Sequence, residues 1–187
     1  MNKKRCTWCD DSQIYKNYHD NEWGKPLHDD DKLFEMLSLE GFQAGLSWIT
    51  ILKKREHFRQ AFDNFNPQTV ALYNENKVDE LMDNEGIIRH RGKIAATIGN
   101  AKAFTQIQKE WENFDKFIWN YVDGKPILNQ FKDISDVPAQ SELSIQISKD
   151  LKKRGFKFVG PTIVYSFMQA IGMVNDHTST CFLYKNP

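Results

Sequence analysis

Residues 141–172 read S-E-L-S-I-Q-I-S-K-D-L-K-K-R-G-F-K-F-V-G-P-T-I-V-Y-S-F-M-Q-A-I-G, and no other stretch restricts the architecture as firmly. Leu143, Ile147 and Leu151 recur every four residues. Lys152, Lys153 and Arg154 follow where cations favour a helix end, and Gly155 suits the left-handed position beyond it. Gly160-Pro161 then opens a second helix that carries Ile163, Phe167 and Ile171 on one face and ends at Gly172. The result is helix, tight glycine-bounded hairpin, helix. The rest of the chain repeats helical punctuation. Asp29-Asp30-Asp31 can cap a helix through Leu33 and Leu39 that Gly41 can stop. Ser47 can cap another, with Trp48, Leu52, Phe58 and Phe62 sharing a face, and Asn66-Pro67 opens a third. Ile94, Ile98, Ala101 and Phe104 mark a long helix from Arg91 to about Trp111, followed by a short one from Phe114 to Val122. Gly124, Pro126 and Pro138 make 123–141 the most loop-like connection. Strand signals are nearly absent and nothing repeats, so the expected fold class is all-α.

With 187 residues, 40% apolar and 13% aromatic, the chain can bury one sizeable core, and disorder is not indicated. Twenty-five basic and 25 acidic residues cancel, so a nucleic-acid partner would have to be met by local clusters instead of a global field. One such cluster is the hairpin. Glycines 155 and 160 would let backbone N–H groups approach a phosphate at the start of a helix. The start of the chain lacks a signal-peptide apolar stretch, and no run reaches the ~18 apolar residues of a membrane span, which suggests a cytoplasmic protein. The expected organisation is a single monomeric unit. Its termini, 1–30 with 173–187, would form one lobe, and 31–172 a helical domain holding the helix-hairpin-helix at 143–172.

Three cysteines, an odd number, argue against a disulfide framework. His177 and Cys181 stand at i and i+4, as if on one helical face, and Cys6 and His19 supply another thiol and imidazole near the other end. Cys2His2 is a closed tetrahedral zinc set, so one structural zinc ion would staple the termini. Cys9 makes a C-x2-C with Cys6 and could take the place of His19.

The stretch Y-K-N-Y-H-D-N-E-W-G, residues 15–24, holds three large aromatics and no aliphatic side chain. It follows neither the strand nor the helix rhythm, which argues against an ordinary core element. Residues 39–48, L-E-G-F-Q-A-G-L-S-W, place Glu40 at the end of an apolar helix with Trp48 beyond a turn. Together they could form an aromatic slot with a carboxylate at its mouth, suited to a flat or cationic ring.

The strings R-C-x-W (5–8), Y-H-D-N-E-W-G (18–24), L-E-G-x-Q-A-G-L-S-W-I-T (39–50), G-I-I-R-H-R-G-K-I (86–94), L-K-K-R-G-F-K-F-V-G (151–160), Y-S-F-M-Q-A (165–170) and V-N-D-H (174–177) closely resemble the bacterial 3-methyladenine DNA glycosylase I family. That family belongs to the helix-hairpin-helix glycosylases. The resemblance implies flipping and excision of 3-methyladenine from double-stranded alkylated DNA by N-glycosidic hydrolysis, leaving an abasic site. It places base recognition and the catalytic role on Glu40, and the pocket on Trp8, Tyr15, Tyr18, Trp23 and Trp48. Zinc falls on Cys6, His19, His177 and Cys181, with Cys9 outside. For the DNA itself the chain's own glycines and cations point to phosphate contacts on the hairpin, with Gly155, Gly160, Lys152, Lys153, Arg154 and Lys157, while the Gly45-Leu46 turn would fill the gap left by the flipped nucleotide. Asp176 is a secondary catalytic candidate, and no lysine stands as an evident nucleophile, so strand cleavage is not expected. The alternatives are a non-catalytic, zinc-stapled helix-hairpin-helix DNA-binding module, and a glycosylase of broader range.

Overall fold

The computed structural model describes residues 3–184; of the expected terminal lobe, 1–2 and 185–187 lie outside the described residues. The chain is mostly helical, and its centre is α2 (Asp30–Gln43), capped by the Asp29 carboxylate on the Lys32 N–H at 2.9 Å. Every residue from Leu33 to Phe42 is buried. A helix apolar on nearly all sides must be covered on all sides. The covering comes from α3 (Trp48–Ala61), α6 (Arg91–Trp111), α7 (Phe114–Trp119) and α9 (Pro161–Ala170). Beyond them, α4 (Pro67–Val70) and α5 (Glu75–Asp83) pack on α6, α1 (Gln13–Asn21) packs on α3, and α8 (Glu142–Lys153) pairs with α9. Phenylalanine fills the interior: Phe34, Phe42, Phe58, Phe62, Phe65, Phe104, Phe114 and Phe167 are fully enclosed. Phe104 stacks on Phe114 at 4.0 Å between ring centres.

Several helices fall where the sequence places them, α6 at both ends. Others differ for identifiable reasons. Gly41 does not stop α2, which runs on to Gln43. A Cβ at Gly41 would lie 3.6 Å from Phe158, so its small size serves packing against the hairpin. Helix α5 escapes the pattern because only Val78 and Leu81 of its nine residues are buried. The decapeptide of 15–24 is helical after all through Asn21, since its inner face is built from aromatics and histidine instead of aliphatics.

In the hairpin, Gly155 adopts φ +93°, and the Phe156 N–H returns to the Leu151 carbonyl at 3.1 Å, closing α8. Asn100 of α6 clamps the turn from below: its amide donates to the Lys157 carbonyl at 2.9 Å and accepts from the Lys157 N–H at 2.8 Å. The Ser148 hydroxyl donates to the Val159 carbonyl at 2.6 Å. The buried face of α9 is Val164, Phe167 and Met168, continued by Ile171; Ile163, expected on that face, is only half buried. After α9, β2 (Val174–Asn175) pairs in parallel with β1 (Ile127–Leu128), so the loop-like connection is tied to the C-terminal segment. Gly172 has φ +70°, and a Cβ there would stand 2.2 Å from the Lys25 carbonyl carbon, so only glycine allows the two strands of chain to meet. Among the described residues no helix is long and apolar enough to cross a membrane.

Candidate active site and metal centre

Helix α1 begins at a Ser12 cap and presents Tyr15, Tyr18 and His19 inward, at i, i+3 and i+4. Tyr15 extends across to α3, where its hydroxyl accepts the Ile49 N–H at 3.1 Å. That contact serves an open helix end, because the Ser47 hydroxyl bonds Thr50 instead of the backbone. Trp8 meets Tyr15, Tyr18 and Trp23 edge to face with centroids 5.6, 6.3 and 5.0 Å apart, and Tyr18 lies 5.5 Å from Trp48. These five aromatics and Glu40, all anticipated from sequence, line one cavity of about 310 Å³. Gln43, Ile134, Ser166 and Gln169 complete the lining and were not anticipated. For the last two a signal existed: Ser166 and Gln169 stand three apart in an otherwise apolar helix, which marks a polar stripe facing something other than core.

Helix α2 buries two glutamates, and their surroundings differ. Glu35 receives Arg55 at 2.5 Å and Arg59 at 2.9 Å, so its charge is matched. Glu40, five residues on, has no cation beside it among the described residues, and burial alone pushes its carboxyl up to about 8. Burial first, and then Glu40, push the Tyr18 phenol well up. Among the described residues the Trp8 indole N–H has no hydrogen-bond partner. An enclosed carboxyl and an unpaired donor among aromatic faces form a site arranged for a flat polar ligand, at a cost to the empty protein.

A second cavity of about 180 Å³ shares Glu40, Gln43 and Ser166 with the first and leads outward past Gly45, Leu46, Thr162 and Ile163. Leu46 stands 41% exposed at the tip of the turn after α2. Buried Lys93 fixes that turn by donating to the carbonyls of Phe42 at 2.9 Å and Ala44 at 2.7 Å. In the neighbouring hairpin Lys152, Lys153 and Lys157 are exposed. Arg154 instead pairs with Glu110 at 2.5 Å and lies over the Phe117 ring. Asp176 does not line the cavity. It is buried and accepts from Asn129, Tyr165 and Gln169.

At the termini, Cys6 Sγ, His19 Nε2, His177 Nδ1 and Cys181 Sγ all lie within 4.8 Å of one another, and all four residues are buried. Zinc bonds of about 2.3 Å to sulfur and about 2.0–2.1 Å to nitrogen, arranged tetrahedrally, put sulfur and nitrogen roughly 3.5 Å apart. The observed separations are 3.5 Å for Cys6 to His177, 3.4 Å for Cys181 to His19 and 3.5 Å for Cys181 to His177. The opposite ring nitrogens are also engaged: His19 Nδ1 with Asp20 at 2.9 Å, and His177 Nε2 with the Trp23 carbonyl at 3.3 Å. Arg5 grips Asp20 with two bonds of 2.8 and 2.6 Å. Hydrogen bonding from Cys6, with His177 and His19 adding, draws the Cys181 thiol well down, while the same contact, with burial, pushes the Cys6 thiol up, so that without an ion one proton is held between the two sulfurs. The donor set therefore fits a zinc ion. Two details differ from expectation: His177 and Cys181 lie on a turn, closed by the Cys181 N–H on the Thr178 carbonyl, and not on a helix. Cys9 is outside the cluster, half-buried with its thiol near the Asp10 carbonyl.

Comparison with known proteins places these features in a family. The methyladenine glycosylase family model matches residues 8–184. DNA-3-methyladenine glycosylase 1 of Escherichia coli is 53% identical over 97% of this chain and 97% of its own. A crystal structure of 3-methyladenine DNA glycosylase I superposes with a TM-score of 0.93 at 52% identity, covering 96% of this chain and 98% of that one. A structure of the Staphylococcus aureus 3-methyladenine DNA glycosylase I, described as the basis of its 3-methyladenine recognition, superposes at 0.92 with 42% identity, over 95% and 94% of the two chains. On this agreement across nearly the whole length, the chain belongs to the methyladenine glycosylase family.

Proposed function

We propose that this protein is a DNA-3-methyladenine glycosylase of base excision repair, which draws a methylated adenine out of duplex DNA into the aromatic cavity and hydrolyses its N-glycosidic bond. The observation that carries this reading is the unpaired carboxyl of Glu40 inside a cavity walled by five aromatic rings. A non-catalytic DNA-binding module would have no use for that cavity. N3-methylation makes the adenine ring cationic, which suits stacking on Trp and Tyr faces and an ionised Glu40. It also makes the ring a leaving group that needs no added proton. The electron pair of the C1′–N bond goes to the departing ring and cancels its charge, a water oxygen bonds to C1′, and the water's proton is released. The protein's part is to select and hold the base, exclude normal ones and stabilise the charge while the bond breaks, and Glu40 is placed to hold the base and meet its charge. A damaged base is also cheaper to unstack.

In this reading the α8–α9 hairpin is a helix-hairpin-helix phosphate grip. Backbone N–H groups at the start of α9 approach the phosphate, aided by Lys152, Lys153 and Lys157, and Leu46 fills the space the flipped nucleotide leaves. Arg154, engaged with Glu110, contributes mainly to holding α8 on α6. Cys6, His19, His177 and Cys181 hold one structural zinc ion with no open position for water, so the metal takes no part in the reaction. The test is release of free base from methylated duplex DNA. Free 3-methyladenine with an intact abasic strand supports the reading, whereas DNA binding without base release returns the protein to the binding-module alternative.

A further inference from the structure

We propose that Gln169 is a specificity-determining residue, its side-chain carbonyl held towards the bound base as a fixed acceptor by the buried carboxylate of Asp176. This rests on the glycosylase reading and assigns one more residue to the same site. Asp176 is 1% exposed and accepts three hydrogen bonds, all from neutral donors. Asn129 Nδ2 reaches Oδ1 at 2.6 Å, while the Tyr165 hydroxyl and Gln169 Nε2 each reach Oδ2 at 2.8 Å. A carboxylate only accepts, so the end of the Gln169 amide that faces it must be the NH2 group. Flipping the amide would set two oxygens against each other in a buried place. The carbonyl is therefore the free end, and Gln169 lines the cavity.

Helix α9 supplies a depth scale. Thr162 and Ile163 line the outer groove with Leu46, Ser166 lines both cavities, and Gln169, one turn further on, lines only the inner one. A nucleotide entering along the groove passes its sugar at Ser166 and brings its base to Gln169. A base with an exocyclic amine can donate to the Gln169 carbonyl, whereas a base with a carbonyl at that position meets it oxygen to oxygen. Glu40 cannot make this distinction alone. Against a neutral free base its carboxyl, pushed up to about 8 by burial, can turn to donate or accept as the ligand requires. The locked amide has no such choice.

Calorimetry with free 3-methyladenine and with 3-methylhypoxanthine, which carries a carbonyl in place of the amine, tests this on the metal-loaded protein. Gln169→Met keeps the side-chain length and removes the acceptor; Asp176→Asn frees the amide to flip. The expected result is that each variant lowers the wild-type preference for 3-methyladenine by roughly 3- to 10-fold, the worth of one neutral hydrogen bond. The double variant should lower it no further. A role in packing alone would weaken both ligands equally, so an unchanged preference in folded Gln169→Met overturns the proposal. Should Asp176→Asn lose the neighbouring metal, Gln169→Met decides alone. A wild type that binds neither base and frees none from methylated DNA removes the glycosylase reading itself, and this inference with it.

Discussion

Replacing Glu40 by glutamine should make the protein more stable and less able to hold its base, and the stability change should depend on pH. The native carboxyl titrates at about 8 against an ordinary 4.5, with burial as the cause. Between those values the folded protein keeps a proton that the unfolded chain has lost. The stability attached to that proton is complete below pH 4.5 and is lost as pH rises through 8. At ~1.4 kcal/mol per pH unit, the loss amounts to about 3 kcal/mol at pH 7 and about 5 kcal/mol above pH 8 as upper bounds. Water entering the cavity mouth brings the expected figure at pH 8 to roughly 2–3 kcal/mol. Glutamine cannot ionise and does not suffer this loss. Each kcal/mol moves Tm by ~2–4 °C in a chain of this size. The Tm of Glu40→Gln relative to wild type should therefore climb by about 5–10 °C between pH 5 and pH 8.5, read by thermal unfolding of the metal-loaded protein. A difference that stays constant over that range would refute the reasoning.

The same ionisation governs the ligand. Only about a tenth of Glu40 is ionised at pH 7 if it titrates near 8, so binding a cationic ring must expel a proton, and excision of the methylated base should quicken with pH up to about 8. In Glu40→Gln that rise should vanish. Affinity for free 3-methyladenine, which is neutral once released, should fall by only roughly 3- to 10-fold, the worth of one neutral hydrogen bond, with undamaged-duplex binding unchanged.

Stripping the metal with a chelator, or replacing Cys181 by serine, should cost several kcal/mol of stability, while Cys9→Ser leaves metal content and Tm unchanged; metal analysis beside thermal unfolding checks both. Lys153→Ala with Lys157→Ala should weaken binding to every duplex alike and flatten the salt slope by about 0.9 for each phosphate no longer neutralised, measured by titration at several ionic strengths. Gly172→Ala places a Cβ 2.2 Å from the Lys25 backbone at φ +70°, so a loss of about 3–5 kcal/mol in denaturant unfolding is expected.

How far the site could be read from sequence depended on whether a role left a pattern in one segment. Helix α6 was legible at both ends because Ile94, Ile98, Ala101 and Phe104 share one face. Helix α1 was not, because Tyr15, Tyr18 and His19 occupy the positions where aliphatic residues normally mark a helix. The gathering of Cys6, His19, His177 and Cys181 was legible as residue types, but the i, i+4 spacing of His177 and Cys181 suggested a helix where a turn achieves the same approach. Gly41 carried a false stop signal, since its absent side chain answers to Phe158, 117 positions away in the chain. Ile134 is harder still. Its segment lies across the cavity because β1 pairs with β2, and two-residue strands leave almost no mark on sequence.

The ligand cluster and the cavity wall are built from the same residues' neighbours, which explains why a short aromatic helix can serve as a wall at all. Helix α1 has nine residues, too few to be stable by its own hydrogen bonds. Its inner face alternates function along the chain, with Tyr18 in the cavity and His19 in the cluster. Trp8 follows Cys6 by two residues and lies 5.3 Å from the His19 ring. Trp23 sets its ring edge-on to His177 at 4.7 Å and gives that histidine its carbonyl. On the other side, Asp176 precedes His177 and holds Gln169. Holding the four clustered side chains, as the proposed zinc ion would, therefore fixes the separation of Trp8, Tyr18 and Trp23 and the position of the Asp176 carboxylate. Recognition of a flat ring depends on those separations to within a fraction of an ångström, because dispersion falls away steeply with distance. Loosening the cluster should thus abolish base binding while α2, α6 and the phenylalanine core between them remain folded.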